Sequence, residues 1–132
     1  TMIDKDSMYN TPPCWCIYVL GLVLEWLEGQ GGVPGMEAVK HGKAAMLYDA
    51  IDSSRLFTCA VEKGSRSDMN VVFRTGSDEL DAKFVKESTA AGFTNLKGHR
   101  SVGGMRASVY NAMPVEGVEK LCEFIKAFDK NN

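Results

Sequence analysis

Residues 14–24, Cys-Trp-Cys-Ile-Tyr-Val-Leu-Gly-Leu-Val-Leu, carry no charged side chain and follow directly on Pro12-Pro13. Two prolines suit the first turn of a helix, where the missing N–H groups have no intrahelical partner and φ is already set. Asn10 and Thr11 stand before them as side-chain caps, so the spacing predicts a helix beginning near residue 11. A helix that is apolar nearly all round cannot be a lone surface element of a small domain, because such an element keeps a polar face toward water. It demands cover on more than one side. The run is too short to span a bilayer, and it lies behind a polar stretch without a basic, signal-like start.

The remainder reads as one ordinary domain. With 132 residues, 45% of them hydrophobic and 24% charged, the chain can build a core without a disulfide or metal staple and is far from the composition of disordered chains. Fifteen Lys and Arg against seventeen Asp and Glu leave a formal charge of −2, so there is no global basic field for nucleic acid or acidic lipid. Trp15 and Trp26 lack the basic stripe that a base-stacking surface needs, which removes a nucleic-acid-binding domain from consideration. Any anion site must be local. Cys14, Cys16, Cys59 and Cys122 are widely spread among apolar neighbours and read as buried free thiols of a reducing compartment. Cys14 and Cys16 would project from opposite sides of a helix and cannot chelate one metal, so no metal site is expected.

Gly29, Gly31 and Gly32 end the first helix, and Met36, Val39, Lys43, Met46, Leu47, Ala50 and Ile51 recur at spacings of three and four as the stripe of a second. His41 is expected on its exposed side. Residues 56–61 and 70–74 are rich in aromatic and β-branched side chains and predict a hairpin-like pair of strands. Ser77 is placed to cap a helix ending at Gly92, residues 95–98 suggest a short strand, and Met105, Ala107 and Val109 alternate with Arg106, Ser108 and Tyr110 as a half-buried strand does. Pro114 opens a last helix whose Val118, Leu121, Cys122, Ile125 and Phe128 form a stripe. Too few βαβ units occur for a doubly wound sheet. The expected fold is therefore α+β, a small, mostly antiparallel sheet covered by helices.

The densest chemistry lies in Lys97-Gly98-His99-Arg100-Ser101-Val102-Gly103-Gly104-Met105-Arg106. Basic side chains divided by glycines bring cations and backbone N–H groups close to a doubly charged anion; a polar turn with solvated charges is the competing explanation. Arg106, on the outward side of the alternation, offers a fork for a carboxylate, unless it pairs with a nearby Glu. Residues 7–13 suggest a second anion site at a helix start, with the Asn10 carboxamide and Thr11 hydroxyl as added donors, though ordinary capping is the commoner use of that pattern.

The stretches Ser7-Met8-Tyr9-Asn10-Thr11-Pro12-Pro13 and Gly98-His99-Arg100-Ser101-Val102-Gly103-Gly104-Met105-Arg106-Ala107-Ser108-Val109-Tyr110-Asn111-Ala112-Met113-Pro114 closely resemble the phosphoserine aminotransferase family. Gly31-Gly32, Leu47-Tyr48, residues 66–71 and Glu116-Gly117-Val118 extend the resemblance over almost the whole chain. The resemblance implies the aspartate-aminotransferase-like fold type I architecture and a homodimer that uses pyridoxal 5'-phosphate. The implied reaction exchanges an amino group between L-glutamate and 3-phosphohydroxypyruvate, giving O-phospho-L-serine and 2-oxoglutarate, in L-serine biosynthesis. It implies that Asn10 and Thr11 reach the cofactor phosphate of the neighbouring subunit, that His99 and Arg100 hold the substrate phosphate, and that Arg106 grips the α-carboxylate. It also implies a departure. The family's Schiff-base lysine, the aromatic residue stacked on the ring and the Asp under its nitrogen lie upstream of the Asn-Thr-Pro-Pro motif, and none of the ten lysines here has that lysine's context. No residue of this chain is therefore expected to be catalytic, and the chain alone is expected to be inactive. Residues 1–32 are expected to be the end of a large domain with its connecting helix, and 33–132 a C-terminal small domain. The expected partners are a second subunit and an N-terminal large domain, with no nucleic acid and no membrane, in the cytoplasm or, in a plant or alga, the plastid. A non-catalytic dimerisation or phosphometabolite-binding module is the rival.

Overall fold

The computed structural model describes all 132 residues, in two compact units, Thr1–Met36 and Glu37–Asn132. The first unit holds a short 3-10 turn at Ile3–Lys5 and helix α1, Cys14–Gly29. Pro13 is the residue before the helix, and no side chain caps it. The helix thus starts later than the spacing predicts: Pro12 and Pro13 precede the first turn rather than forming it, and Asn10 and Thr11 are exposed and free of capping duty. Trp15, Ile17, Tyr18 and Leu20 are all more than half exposed. Gly31 and Gly32 take positive φ of 88° and 65°, turning the backbone into α2, Gly32–Asp52. No helix is long and apolar enough to cross a membrane.

In the second unit, β1 (Asn70–Phe73) and β2 (Met105–Ser108) pair antiparallel, Val71 opposite Ala107 and Phe73 opposite Met105. Those four side chains are buried while Arg106 is exposed, as the alternation requires. Helix α3 (Asp78–Ala90) and helix α4 (Val115–Asn131) complete the order. The Ser77 hydroxyl accepts from the Leu80 N–H at 3.2 Å, the predicted cap. All five stripe residues of α4 are buried, and Phe57, Phe73, Phe84 and Phe128 meet with ring centroids 5.1 to 5.8 Å apart, three of the pairs involving Phe84. These mostly edge-to-face contacts centre the core beside the sheet.

The hairpin expected from 56–61 and 70–74 does not form. Thr58 makes a single bridge to Arg74, through N–H···O bonds of 2.8 and 3.0 Å. The physical reason lies in competing acceptors. The Leu56 N–H donates to Asp129 at 2.8 Å and the Phe57 N–H to the Ser54 hydroxyl at 3.0 Å, so neither is available to a ladder. The partner of β1 is instead β2, and the stretch at 95–98 adds only the Lys97–Met105 bridge. The cysteines are all free, but only Cys122 is buried: Cys59 is half-buried, and Cys14 and Cys16 are exposed because α1 is. His41 lies on the surface, 2.6 Å from Asp68.

Asp129, near the end of α4, accepts from the Ser54 hydroxyl and from the N–H groups of Arg55 and Leu56, tying that helix to the chain leaving α2. Asp52 receives both guanidinium arms of Arg66, at 2.7 and 2.8 Å. The bonds to Arg66 hold Asp52 below its usual 3.8. For Asp129 partial burial pushes up, but the donors of Ser54, Leu56 and Arg55 together win and hold it below 3.8 as well. Carboxyls depressed in the folded state bind fewer protons there than in the unfolded chain, so their contribution is full above the unfolded value and is lost as pH falls through the folded ones. Urea unfolding is expected to show stability falling below about pH 4, and Asp129→Asn to cost about 1 to 2 kcal/mol at pH 7 with a smaller loss on acidification than the parent.

Candidate anion-binding site

The loop from Lys97 to Gly104 is a closed turn at one end of β2. The Gly98 N–H donates to the Gly104 carbonyl at 2.8 Å, and the His99 carbonyl accepts from both Val102 and Gly103. Two positions admit only glycine. A Cβ on Gly98 would lie 2.1 Å from the Gly103 carbonyl oxygen, and Gly104 has φ of 63° with a Cβ position 2.8 Å from the Phe73 carbonyl oxygen. The glycines therefore serve first to bring backbone strands together, and by doing so they set the basic side chains around the turn.

His99 borders two hollows. One, of about 700 Å3, lies between the loop and α3 and is shared with Arg100, Lys97 and Lys86. The other, of about 270 Å3, is shared with Arg106 and Arg74. Arg106 also lines a groove of about 630 Å3 with Phe93, Asn95, Tyr110 and Lys120. The structure thus brings His99 beside Arg100 in one hollow and beside Arg106 in the other. Asn10 and Thr11 belong to the Thr1–Met36 unit and stand exposed just ahead of α1.

Some of the chain's cations are engaged in ion pairs. Arg66 is locked on Asp52 and stacks over Tyr48 at 4.6 Å; Lys83 lies 3.9 Å from Glu87 and Arg74 is 3.3 Å from Asp78. Lys97, Arg100 and Arg106 have no carboxylate within ion-pair distance. The pairing of Arg106 with a Glu, the ordinary use of a surface strand arginine, does not occur. Two unpaired cations and a histidine thus stand on one glycine-closed turn, with Arg106 just beyond it on β2, and Asp78 and Asp81 line the same hollow as His99 and Arg100.

At the other end of β2 lies a residue whose role the sequence did not disclose. Lys43 of α2 is 1% exposed, and its ammonium donates to the carbonyls of Tyr110, Asn111 and Met113 at 3.0, 3.1 and 3.0 Å. Burial lowers its pKa from 10.5, while three carbonyl acceptors compensate all three of its N–H donors. Lys43 thereby fixes the chain after Arg106, including Tyr110 and Met113 of the groove wall. Its place on the apolar stripe of α2 was the available signal. Asp81 is also buried, and its Oδ1 accepts from the Thr75 N–H and hydroxyl, both at 2.7 Å, to fasten the turn before α3.

The aminotransferase class-V family model matches residues 1–121. Among similar proteins, the phosphoserine aminotransferase of Listeria monocytogenes is 60% identical over 125 residues, 95% of this chain and 34% of that protein. That of Nitrosomonas europaea is 52% identical over all 132 residues, 36% of its length. Among solved structures, the phosphoserine aminotransferase of Bacillus circulans subsp. alkalophilus superposes with a TM-score of 0.94 at 48% identity, over 99% of this chain and 37% of that one. A pyridoxal-phosphate-bound phosphoserine aminotransferase of Trichomonas vaginalis gives 0.87 at 40% identity, over 95% of this chain and 36% of that one. The chain spans about a third of the length of these relatives.

Two substitutions test the architecture of the loop and its support. Gly98→Ala is expected to cost about 1 to 3 kcal/mol, because the added methyl meets backbone rather than a movable side chain. Lys43→Met is expected to cost about 3 kcal/mol by leaving the Asn111 and Met113 carbonyls without a donor and that of Tyr110 with only the Met113 N–H. Thermal and urea unfolding measure both, and amide exchange at residues 110–113 should rise in the Lys43 variant alone.

Proposed function

As this chain belongs to the aminotransferase class-V family, we propose that it is the C-terminal portion of a phosphoserine aminotransferase and supplies the substrate-phosphate and carboxylate contacts of that enzyme. In the complete protein the reaction is amino transfer between L-glutamate and 3-phosphohydroxypyruvate. Residues 1–32 are the end of the large domain with its connecting helix, and 33–132 are the small domain. A homodimer, joined to an N-terminal large domain, covers the apolar exterior of α1, in the cytoplasm or in a plastid.

The observation that carries this proposal is the set of unpaired cations on the Lys97–Arg106 turn. His99 and Arg100 suit the substrate phosphate, a doubly charged group that several donors share best. Arg106, on the outward side of β2 with its fork unpaired, suits the α-carboxylate common to glutamate and phosphoserine. Asn10 and Thr11 fit the phosphate of pyridoxal phosphate on chemical grounds: a carboxamide and a hydroxyl, exposed and relieved of helix capping, are neutral donors beside a helix start. When bound in the complete protein, the cofactor supplies the electron sink that amino transfer requires. This chain's residues bind and orient. None of its lysines stands in the context of a cofactor-linked lysine, so the chain alone is inactive.

Adding the N-terminal portion of a relative in trans is expected to restore transamination that neither part shows alone. In the assembled enzyme Arg106→Ala should impair both half-reactions by about 2 to 5 kcal/mol in kcat/KM, the cost of removing one partner from a desolvated charge pair. Arg100→Ala should weaken phosphoserine far more than an amino donor without the phosphate. Equal losses for glutamate and phosphoserine in Arg100→Ala would refute this division of labour. A stoichiometric borohydride-reduced adduct of pyridoxal phosphate at one lysine of the isolated chain would refute the assignment of a portion that lacks the cofactor-linked lysine.

A further inference from the structure

Within the basic turn, one side chain is engaged with the imidazole rather than with the backbone scaffold. His99 Nδ1 lies 2.7 Å from the Ser101 hydroxyl and 3.3 Å from the Ser101 backbone N–H. A hydroxyl can donate or accept, but a backbone N–H only donates. Nδ1 therefore presents its lone pair to this side, and in the neutral ring the proton resides on Nε2. The His99 main chain is held as well, since its carbonyl accepts from Val102 at 2.9 Å and from Gly103 at 2.8 Å. Backbone and ring are both anchored within five residues, and the one ring nitrogen left for a ligand is a donor.

We propose that Ser101 is a positioning residue that holds His99 in the Nε2–H tautomer, so that the imidazole meets a phosphate-type dianion as a hydrogen-bond donor. In the other tautomer Nε2 would carry a lone pair and would repel phosphate oxygens. The inference rests on the assignment of His99 to the substrate phosphate given above. It adds the residue that sets which way the ring's donor faces. The neighbouring unpaired cations, Arg100 and Lys97 in one hollow and Arg106 in the other, attract the anion by charge, whereas the oriented imidazole contributes direction.

The test uses the 132-residue chain with 15N-labelled imidazoles, inorganic phosphate as the probe, and the near-isosteric pair Ser101→Thr and Ser101→Val, which differ by one hydroxyl. The chain has two histidines, so His41→Asn assigns the ring signals. In the parent and in Ser101→Thr the neutral His99 ring should show an unprotonated Nδ1 and a protonated Nε2. Ser101→Val keeps only the longer, 3.3 Å backbone N–H contact to Nδ1 and should raise the share of the other tautomer and bind phosphate about three- to tenfold more weakly, the loss of one hydrogen bond. Ser101→Ala repeats the measurement with a smaller side chain, should the valine disturb the turn; amide spectra establish which variants keep the fold. An unchanged tautomer pattern and unchanged phosphate affinity in folded hydroxyl-free variants, with affinity lost in His99→Ala, would overturn the role of Ser101 while leaving the phosphate site standing. Unchanged affinity in His99→Ala would overturn the phosphate assignment itself, and the proposal with it.

Discussion

The four-residue antiparallel register between Asn70–Phe73 and Met105–Ser108 is the constraint on which the second unit depends. Two strands this short cannot support themselves; they persist because Val71, Phe73, Met105 and Ala107 bury the same face against the helices. A slip by one residue would turn Arg106 into the core and Met105 into water. Register thus decides at once where the core lies and where the guanidinium points, and no separate device is needed to aim it.

Each end of β2 is then fixed by a different kind of force. At its start, steric exclusion at Gly98 and Gly104 lets backbone approach backbone, and carbonyl-to-amide bonds close the turn. At its far end a buried ammonium gathers three carbonyls, of which only that of Tyr110 also accepts from a backbone N–H. Cations in this chain accordingly divide by task. Lys43 and Arg66 are consumed by structure, one on carbonyls and one on Asp52, while Lys97 and Arg100 on the turn and Arg106 on β2 are left unpaired.

Periodicity made most of the elements legible. The α4 stripe, the Ser77 cap and the alternation through β2 each follow from a local rule, and each stands where the residues place it. Failures arose where competing hydrogen-bond acceptors, near or distant, intervened or where a helix began later than its candidate caps. Residues 56 and 57 have strand-forming side chains, yet Asp129, over seventy residues away, and Ser54 take their N–H groups. Asn10 and Thr11 are good caps by type, but the helix begins beyond them at Cys14. For the candidate site, the cluster of basic and glycine residues was visible as a cluster; the supports were not. Lys43 reads as an interruption of an apolar stripe until its carbonyl partners are known, and the pairing of His99 with Ser101 is a matter of rotamer that spacing does not encode.

The placement of the two tryptophans divides the chain spectroscopically. Both Trp15 and Trp26 sit on α1, 73% and 41% exposed, and the Glu37–Asn132 unit contains none. Tryptophan emission consequently reports the polarity around that one helix and is silent about the phenylalanine-centred core. A blue shift on mixing with another polypeptide would register the covering of α1, while loss of the core would have to be followed through the buried Tyr48 or through the backbone. The chain carries, in effect, an intrinsic probe for assembly that is separate from any probe for its own unfolding.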